Sequence, residues 1–382
     1  MTEVRVLSGV AEAPREAWNA LVGEGSPFLE WDWLATLEDT ACVGPGTGWR
    51  PQPLTLWENG RLTGACPLYV KDDGQGEFVF DHGWAQAAER AGMSYYPKLL
   101  VAVPFTPVPG ARLLAAPGCE AAVAATLAAV LEDACTRAGI SSVHVNFCTP
   151  QEVAALAARG WIHRTGYQYH WHGEALTTFD DYLATLRHKR RNQVRREQRE
   201  LAAQEVTVTA HVGTDVPADL MPVVFALYRR TLAAHGPWGH QYLTGRFFDE
   251  IRSRFAHRLC VIVARQRGEV VAATLNVQKG RTLYGRYWGT FRPLRHLHFN
   301  VAYYAAIAHC IAQGLTCFEP GAGGEFKQMR GFDAQVTHSM HWVRDPRLAA
   351  AVRAYLVEER AAVAAEVAWW DERTARRRDG GD

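Results

Sequence analysis

The sequence carries little that would place the protein in a metal-binding, secreted or membrane class. Its eight cysteines form no C-x-x-C pair and match no zinc-ligand spacing, so we expect buried free thiols in a reducing compartment and no bound metal. No apolar run of about 18 residues is present, and the chain does not begin with a basic segment followed by an apolar one. These absences predict a cytoplasmic protein without a membrane span.

An excess of charge of one sign is also missing. The 382 residues include 41 Lys and Arg against 40 Asp and Glu, a formal net charge of +1. A nearly neutral chain has no general attraction for nucleic acid, so any anionic partner must be bound by a local patch of cations. The length and the 48% hydrophobic content predict two domains, each with its own core.

Several motifs that would identify an enzyme class are absent. The chain has no Walker loop, no G-x-S-x-G turn and no H-E-x-x-H helix. A pyrophosphate loop that binds acetyl-CoA follows the pattern [RQ]-x-x-G-x-[GA], with Arg or Gln first, Gly fourth, and Gly or Ala sixth. The best candidate, 328–333, ends in Asp333 and does not fit. We therefore predict no bound cofactor.

The most distinctive segment that is present runs from residue 317 to 342. A predicted strand over 315–319 leads into a turn with three glycines, and Lys327 follows. Glycines allow a backbone to approach a ligand closely, and a lysine behind them can stabilise developing negative charge. Glu319 and Glu325 flank this lysine and could hold it by charge or act as a base. The alternatives are an ordinary surface lysine and two structural glutamates.

A basic segment at 187–199 is the second distinctive feature. We predict a helix that starts over 179–186 and continues through this segment to about residue 204. Arg187, Arg191 and Arg195 would then lie on one face. Phosphate groups are the natural partner of such a cluster, and a solvated helix face is the alternative. The predicted phosphate-binding or tRNA-binding cations are Arg187, Lys189, Arg190, Arg191, Arg195 and Arg196.

Further candidates for substrate binding lie on a predicted strand, the helix after it, and a polar aromatic cluster in the first half. Alternation along the strand LYGRYWG would place Tyr284, Arg286 and Trp288 on one face. The aromatic members could equally be core residues. The full set is Tyr284, Arg286, Trp288, Asn300, Tyr95, Tyr96, Lys98, Phe326 and Arg330.

The order of the predicted elements indicates an α+β fold. In the second half, helices precede three strands in a meander, followed by a helix and a strand, an order that resembles a GNAT N-acetyltransferase domain. The first half has a comparable order. We therefore predict two tandem GNAT-like domains, with mixed, mostly antiparallel sheets flanked by helices. Their limits are 1–172 and 173–345, with a C-terminal helix and tail at 346–382.

Five segments together resemble the FemAB-like N-acyltransferases, a GNAT-superfamily group labelled peptidoglycan biosynthesis/recognition. They are 26–38, 95–114, the basic segment, LYGRYWG and the glycine-rich segment. Fem-type ligases transfer an amino acid from aminoacyl-tRNA to an amine of a cell-wall peptide precursor. By this resemblance Phe326-Lys327 falls on the family's Phe-Lys pair, whose lysine is implicated in transfer. Arg191 or Arg195 falls near the arginine that meets substrate phosphate.

The resemblance implies an N-acyltransferase that forms an amide bond by direct attack of an acceptor amine. The preferred donor is aminoacyl-tRNA and the acceptor is a peptide or small-molecule amine. An acyl-CoA donor is the alternative within this class. A non-catalytic module that binds a peptide or a cell-wall fragment is the alternative from another class.

Overall fold

The computed structural model describes residues 2–236 and 239–377, with their side chains except that of Glu325. The chain forms two compact units. Unit 1 comprises Met1–Gly166 and Val336–Ala365, and unit 2 comprises Tyr167–Gln335 and Glu366–Asp382. The predicted domain limits, 1–172 and 173–345, remain a prediction.

The elements up to the first change of unit are, in chain order, β1 (Thr2–Val6), α1 (Arg15–Val22), α2 (Trp31–Asp39), β2 (Trp49–Pro51), β3 (Leu54–Glu58), β4 (Arg61–Cys66), β5 (Leu68–Lys71), α3 (His82–Arg90), β6 (Lys98–Val101), β7 (Leu114–Ala115), α4 (Glu120–Arg137), β8 (Ser142–Cys148), α5 (Pro150–Ala157) and β9 (Ile162–His172). Short 3-10 helices lie at Val10–Glu12 and Pro27–Leu29.

The elements that follow are α6 (Phe179–Thr185), α7 (His188–Ala202), β10 (Val206–Val212), α8 (Leu220–Ala234), α9 (Gly245–Arg254), β11 (Leu259–Gln266), β12 (Glu269–Lys279), β13 (Thr282–Thr290), α10 (Leu297–Phe299), α11 (Ala305–Ala312), β14 (Cys317–Glu319), β15 (Asp333–Val343) and α12 (Pro346–Glu372). A π-helical turn at Asn300–Tyr304 joins α10 to α11. Further 3-10 helices lie at Gly213–Asp215, Ala256–Arg258 and Glu325–Arg330.

Unit 1 contains a small sheet with the strand order β1-β3-β4-β7 and a second run of paired strands, β2-β5-β6-β8-β15. The pairs are antiparallel except for β6 with β8. The predicted hairpin turn between β3 and β4 is confirmed, with φ of 50° at Asn59 and 75° at Gly60. Positive φ at both central positions is what an Asn-Gly turn of type I′ supplies.

The main core of unit 1 lies between its strands and α4. This helix buries Val123, Leu127 and Leu131 at helical spacing against strand residues such as Val143 and Val145. The N-terminal part of α12 buries Leu348, Val352 and Leu356 in a smaller cluster. No helix in residues 2–236 or 239–377 is both long and apolar enough to span a bilayer.

Unit 2 is built on the strand order β10-β11-β12-β13-β14-β9. The strands β11 to β13 form the predicted antiparallel meander, and β10 pairs antiparallel with β11. The strand β14 runs parallel to β13, and β9 runs antiparallel to β14. Apolar side chains of the alternate positions Cys260, Ile262 and Ala264 face a core completed by α10, α11 and the residues between them.

The alternation predicted along β13 is wrong. The register with β12 shifts opposite Arg286, so that Tyr284 pairs with Val277 while Trp288 pairs with Thr274. Opposed residues of antiparallel strands point to the same face, and positions 274 and 277 of β12 point to opposite faces. The β-bulge therefore places Tyr284 and Trp288 on different faces of the sheet.

The long helix predicted from residue 179 to about 204 is interrupted. Leu186 and Arg187 are extended, with ψ of 149° and 147°. The buried Leu186 forms a β-bridge with Arg376. The guanidinium of Arg191 donates to the carbonyls of Leu183 (3.1 Å) and Leu186 (3.2 Å). The Leu183 carbonyl also accepts from the N–H of Leu186, and Arg191 adds a hydrogen bond to each of the two carbonyls at the end of α6, so it stabilises the break.

Candidate functional site

The glycine-rich segment of unit 2 forms a tight turn and one 3-10 helix. The strand β14 ends at Glu319, and the 3-10 helix Glu325–Arg330 is bounded by Gly324 (φ 87°) and Gly331 (φ 78°). A Cβ atom on Gly324 would lie 3.0 Å from Cζ of Phe326. Glycine is therefore required there both by the left-handed backbone and by the close side chain.

Lys327 lies inside this 3-10 helix and is only 3% exposed. Its ammonium donates to the carbonyl of Gly321 at 2.6 Å and lies 3.5 Å from that of Ala322. No carboxylate among the described side chains pairs with it. Burial lowers the pKa of Lys327 to about 7, because removal from water disfavours the charged form. The lysine is thus a buried cation held by peptide carbonyls.

Glu319 lies at the end of β14, near Arg286 and Tyr284 of β13. Burial raises the pKa of Glu319 to about 8, and the charge of Arg286 offsets part of this rise. Burial and then the charge of Glu319 raise the pKa of Tyr284. The Oε2 atom of Glu319 lies 3.8 Å from Nε2 of His170 on β9. The structure therefore brings together three of the predicted residues and adds a histidine that we had not predicted.

The charge of Lys327 contributes to the lowered pKa values of two histidines of unit 2. Burial lowers the pKa of His170 to about 4, with smaller contributions from the charges of His172 and Lys327. Burial, Arg330 and Lys327 lower the pKa of His298 to about 4. Both imidazoles are therefore neutral at physiological pH and can accept a hydrogen bond.

Arg330 is buried, with an exposed fraction of 2%, and all of its nitrogens are bonded. Nε donates to the Tyr304 hydroxyl at 2.9 Å, Nη1 to the Phe326 carbonyl at 3.0 Å, and Nη2 to both carboxylate oxygens of Glu197 at 3.1 Å. The Tyr304 hydroxyl also donates to Glu197. The prediction that Arg330 binds substrate conflicts with this geometry, because the side chain is buried and each of its nitrogens already donates within unit 2. It is a positioning residue that fixes the 3-10 helix carrying Lys327 to α7.

Phe326 is half-buried and lies among aromatic residues of α10 and of the π-helical turn that follows α10. Its ring centroid is 5.8 Å from those of His298 and Phe299 and 6.1 Å from that of Tyr303. Trp288 packs on His298 at 4.8 Å. Asn300 is 7% exposed and donates to the carbonyls of Glu197 and His296. Asn300 is thus an interior residue, in contrast to the predicted binding role.

The basic segment divides into two groups of cations. Arg187, Lys189, Arg195 and Arg196 are exposed, while Arg190 and Arg191 are half-buried. Arg195 pairs with Asp180 at 3.1 Å and Arg196 lies 3.9 Å from Glu200. Arg187 and Lys189 make no ion pair with any described residue. Among the six cations predicted to bind phosphate, these two therefore offer the least compensated charge for an anion.

The polar aromatic cluster of the first half, which was predicted to bind substrate, lies mostly in the interior of unit 1. Lys98 is 0% exposed, donates to Glu77 at 2.8 Å and forms an ion pair with Asp81. The Tyr95 hydroxyl donates to Asp81 at 2.6 Å, and Tyr96 is half-buried. Tyr95 and Lys98 are thus buried and bonded within unit 1, in contrast to the predicted role in substrate binding.

Glu197, Tyr304 and His170 belong to the site, but the sequence did not single them out as site residues. Glu197 is one of two acids among the cations of α7, and with Val194 and Leu201 it forms the buried face of that helix. This spacing could have identified it as an interior carboxylate in need of a cation. The side chain of Glu325 lies outside the described part of the structure, so its catalytic role stays a prediction.

Comparisons with known proteins give a consistent assignment. Residues 9–378 match the model of the FemAB_like family, described as peptidoglycan biosynthesis/recognition. The fold is similar to the crystal structure of FemX, with a TM-score of 0.57, 10% identity, and coverage of 92% of this chain and 100% of FemX. No sequence among curated proteins matches significantly.

Two further solved structures are similar to the chain. One is the C-terminal DUF2156 domain of an Agrobacterium fabrum protein named as a putative lysylphosphatidylglycerol synthetase (TM-score 0.57, 11% identity, 91% of this chain and 97% of that one). The other is L-PGS from Bacillus licheniformis (TM-score 0.51, 11% identity, 82% and 92%). The predicted fold class, α+β with two tandem GNAT-like domains, is confirmed.

The burial of Lys327 leads to a prediction about stability. Because its folded pKa of about 7 lies below the ordinary value of 10.5, the unfolded chain holds this proton more tightly. The cost of burying the charge is largest below about pH 7 and disappears as the pH rises toward 10.5. Replacing Lys327→Met should therefore stabilise the protein, by roughly 2–4 kcal/mol at about pH 6 and much less at about pH 10. Urea unfolding at both pH values measures this.

Lys98→Met is the matched control, since Lys98 is equally buried but paired with two carboxylates. It should destabilise the protein by about 3–5 kcal/mol, because two buried acids lose their cation. A Lys327→Met variant that is as destabilised as Lys98→Met would contradict the account of Lys327.

The contact between Arg330 and Glu197 gives a second prediction. Glu197→Ala leaves a buried guanidinium without its carboxylate and should reduce the free energy of unfolding by about 3–5 kcal/mol. Glu200→Ala on the same helix is the control: Glu200 is half-buried and contacts surface cations, so its removal should cost about 1 kcal/mol or less. Denaturant midpoints distinguish the two, and equal effects would argue against a positioning pair.

Proposed function

Because the chain belongs to the FemAB_like family, we propose that it is an N-acyltransferase that forms an amide bond on an acceptor amine. The observation that carries the proposal is the buried Lys327 ammonium beside a glycine-rich turn. Such a group, in a site shielded from water, interacts strongly with negative charge that develops during a reaction.

The proposed reaction is a direct attack on an aminoacyl ester. The nitrogen of the acceptor amine forms a bond to the ester carbonyl carbon, and the bond from that carbon to the ribose 3′-oxygen breaks. The proton given up by the amine ends on the leaving oxygen. Lys327 stabilises negative charge on the carbonyl oxygen and on the leaving oxygen, so no covalent enzyme intermediate is needed.

The proposed donor is aminoacyl-tRNA. The exposed cations at the start of α7, Arg187 and Lys189, suit a phosphate backbone, and Arg195 and Arg196 extend the same surface. Arg190 is half-buried and binds Gln193, while Arg191 is used within unit 2, so these two contribute less. The imperfect pyrophosphate loop at 328–333 begins in the 3-10 helix and ends in β15, and Gln328, Arg330 and Phe332 within it are buried, which disfavours an acyl-CoA donor.

The proposed acceptor is a peptide or small-molecule amine. Oε2 of Glu319 has no hydrogen-bond partner among the described residues and can accept a hydrogen bond from an amine. Glu319 and Glu325 remain the proposed catalytic carboxylates. The substrates are proposed to bind four partly exposed side chains of unit 2: Phe326, Trp288, Tyr284 and Arg286.

A transfer assay tests the role of Lys327. Purified protein is incubated with tRNA charged with amino acids and a set of peptides that carry free amines, and products are identified by mass spectrometry. The same set is incubated separately with acyl-CoA. We expect a mass increase with charged tRNA, and Lys327→Ala should lower the rate by about 100–1000-fold, because one stabilising donor is removed.

Lys279→Ala is the control for this assay, since Lys279 is a buried lysine of β12 in the same unit. It should leave the rate within a few-fold of wild type. Near wild-type transfer by Lys327→Ala would contradict the proposed role. Transfer from acyl-CoA alone would contradict the proposed donor, and tight peptide binding without transfer from either donor would indicate a binding module.

The salt dependence of tRNA binding tests the surface at the start of α7. We expect the logarithm of the association constant to fall linearly with the logarithm of salt concentration between about 50 and 200 mM. Removing both charges, Arg187→Ala with Lys189→Ala, should make that slope shallower by about 0.7–0.9 for each phosphate group that the variant no longer neutralises. Fluorescence anisotropy of labelled tRNA measures both.

The control is the double replacement Arg61→Ala and Arg90→Ala, which removes two exposed arginines of unit 1. It should not alter the slope. If the slope is flat in wild type, the protein makes no phosphate contacts with tRNA. If both double variants change the slope equally, the contact does not lie at the start of α7.

A further inference from the structure

One face of two neighbouring strands in unit 2 carries a set of metal-ligand side chains. The register of β9 with β14 pairs His172 with Cys317 and Trp171 with Phe318. Trp171 and Phe318 are 1% and 0% exposed and belong to the core. Because side chains alternate along a strand, His170, His172, Cys317 and Glu319 all point to the opposite face. The antiparallel register places Glu319 across from His170.

The distances suit a shared ion. One ligand atom each of His170, His172 and Cys317 lies within 4.8 Å of the others. Oε2 of Glu319 lies 3.8 Å from Nε2 of His170. A tetrahedral zinc ion with bonds of about 2.0–2.3 Å needs its ligand atoms about 3.3–3.8 Å apart. Small side-chain rotations are enough to close the set around an ion.

Two buried polar atoms in this set have no partner. Nε2 of His170 and Oε2 of Glu319 make no hydrogen bond with any described residue, and His170 is only 9% exposed. Leaving buried polar atoms unsatisfied costs about 1–3 kcal/mol each, and nearly all such atoms in folded proteins have a partner. An ion bound between them would provide that partner.

We propose that His170, His172 and Cys317 bind one divalent ion of the zinc class, with Glu319 facing the fourth coordination position. Two imidazoles and one thiolate favour zinc and similar borderline ions over magnesium or calcium, which prefer oxygen ligands. A simple hydrogen bond between His170 and Glu319 explains neither their 3.8 Å separation nor the approach of Cys317 and His172. Glu319 is shared with the proposed acyl-transfer site, but zinc binding is tested without that reaction.

This arrangement also explains why local spacing predicts no metal. The pairs H-x-H at 170–172 and C-x-E at 317–319 are each too short to form a site, and they are far apart in the chain. Only the pairing of β9 with β14 joins them. An ion there would fix β14 at the point where the chain enters the turn before Lys327.

Metal titration of the full chain tests the proposal. The purified protein is stripped with a chelator and titrated with Zn²⁺ against a competing chelating dye, and then with Co²⁺. We expect one equivalent of zinc, and a cobalt spectrum with tetrahedral ligand-field bands and a thiolate charge-transfer band. Cys317→Ser and His172→Ala should each weaken zinc binding by at least about 100-fold, because removing a ligand has a larger effect than removing an outer partner.

The matched controls are Cys119→Ser, which removes an exposed thiol, and His211→Ala, which removes a half-buried histidine of β10. Both should bind zinc as wild type does. Circular dichroism reports whether each variant folds. For wild type itself, bound zinc should protect Cys317 from iodoacetamide more than it protects Cys119, as peptide mapping by mass spectrometry measures. Wild-type protein that binds no stoichiometric zinc, a cobalt complex without a thiolate band, or unprotected Cys317 would overturn the proposal.

Discussion

The candidate site depends on one buried ion pair, between Arg330 of the 3-10 helix and Glu197 of α7. A turn with glycines at 321, 323 and 324 has many accessible backbone conformations and cannot order itself. The guanidinium bonds to Glu197, to Tyr304 and back to the carbonyl of Phe326, so it joins three segments at once. These bonds offset the cost of removing both charges from water, and the same contact defines where Lys327 lies.

Lys327 lies in the same 3-10 helix as Arg330, but its charge is held by different partners. Arg330 is stabilised by a carboxylate, whereas the ammonium of Lys327 is held by the Gly321 carbonyl. Two buried cations of one short helix therefore have opposite consequences: one strengthens the fold and the other weakens it. A group that costs stability persists where activity requires it, which supports a catalytic interpretation of the lysine.

The cations of the basic segment look equivalent in the sequence, but they differ in burial and therefore in the partners that they can bind. Seven arginines and lysines lie within 187–199. The break at Leu186 turns Arg191 inward to bind the carbonyls that end α6, and it leaves Arg187 at the N-terminal end of α7 facing solvent. A continuous helix would have placed these two arginines on one face. The surface for an anion is consequently shorter, and lies nearer the start of α7, than the pattern of charges predicts.

Local sequence patterns were enough to predict the α+β class, the meander of unit 2, the Asn-Gly hairpin and the position of the glycine-bounded lysine. These follow from local properties: hydrophobic period, turn chemistry and positive φ. Other features became visible only in the fold: Arg330, Asn300 and Lys98 are interior residues, and a bulge at Arg286 separates Tyr284 from Trp288. The shared face of His170, His172, Cys317 and Glu319 is a further example. Each of these depends on which strand or helix lies beside the residue, and partners distant in the chain leave no local pattern.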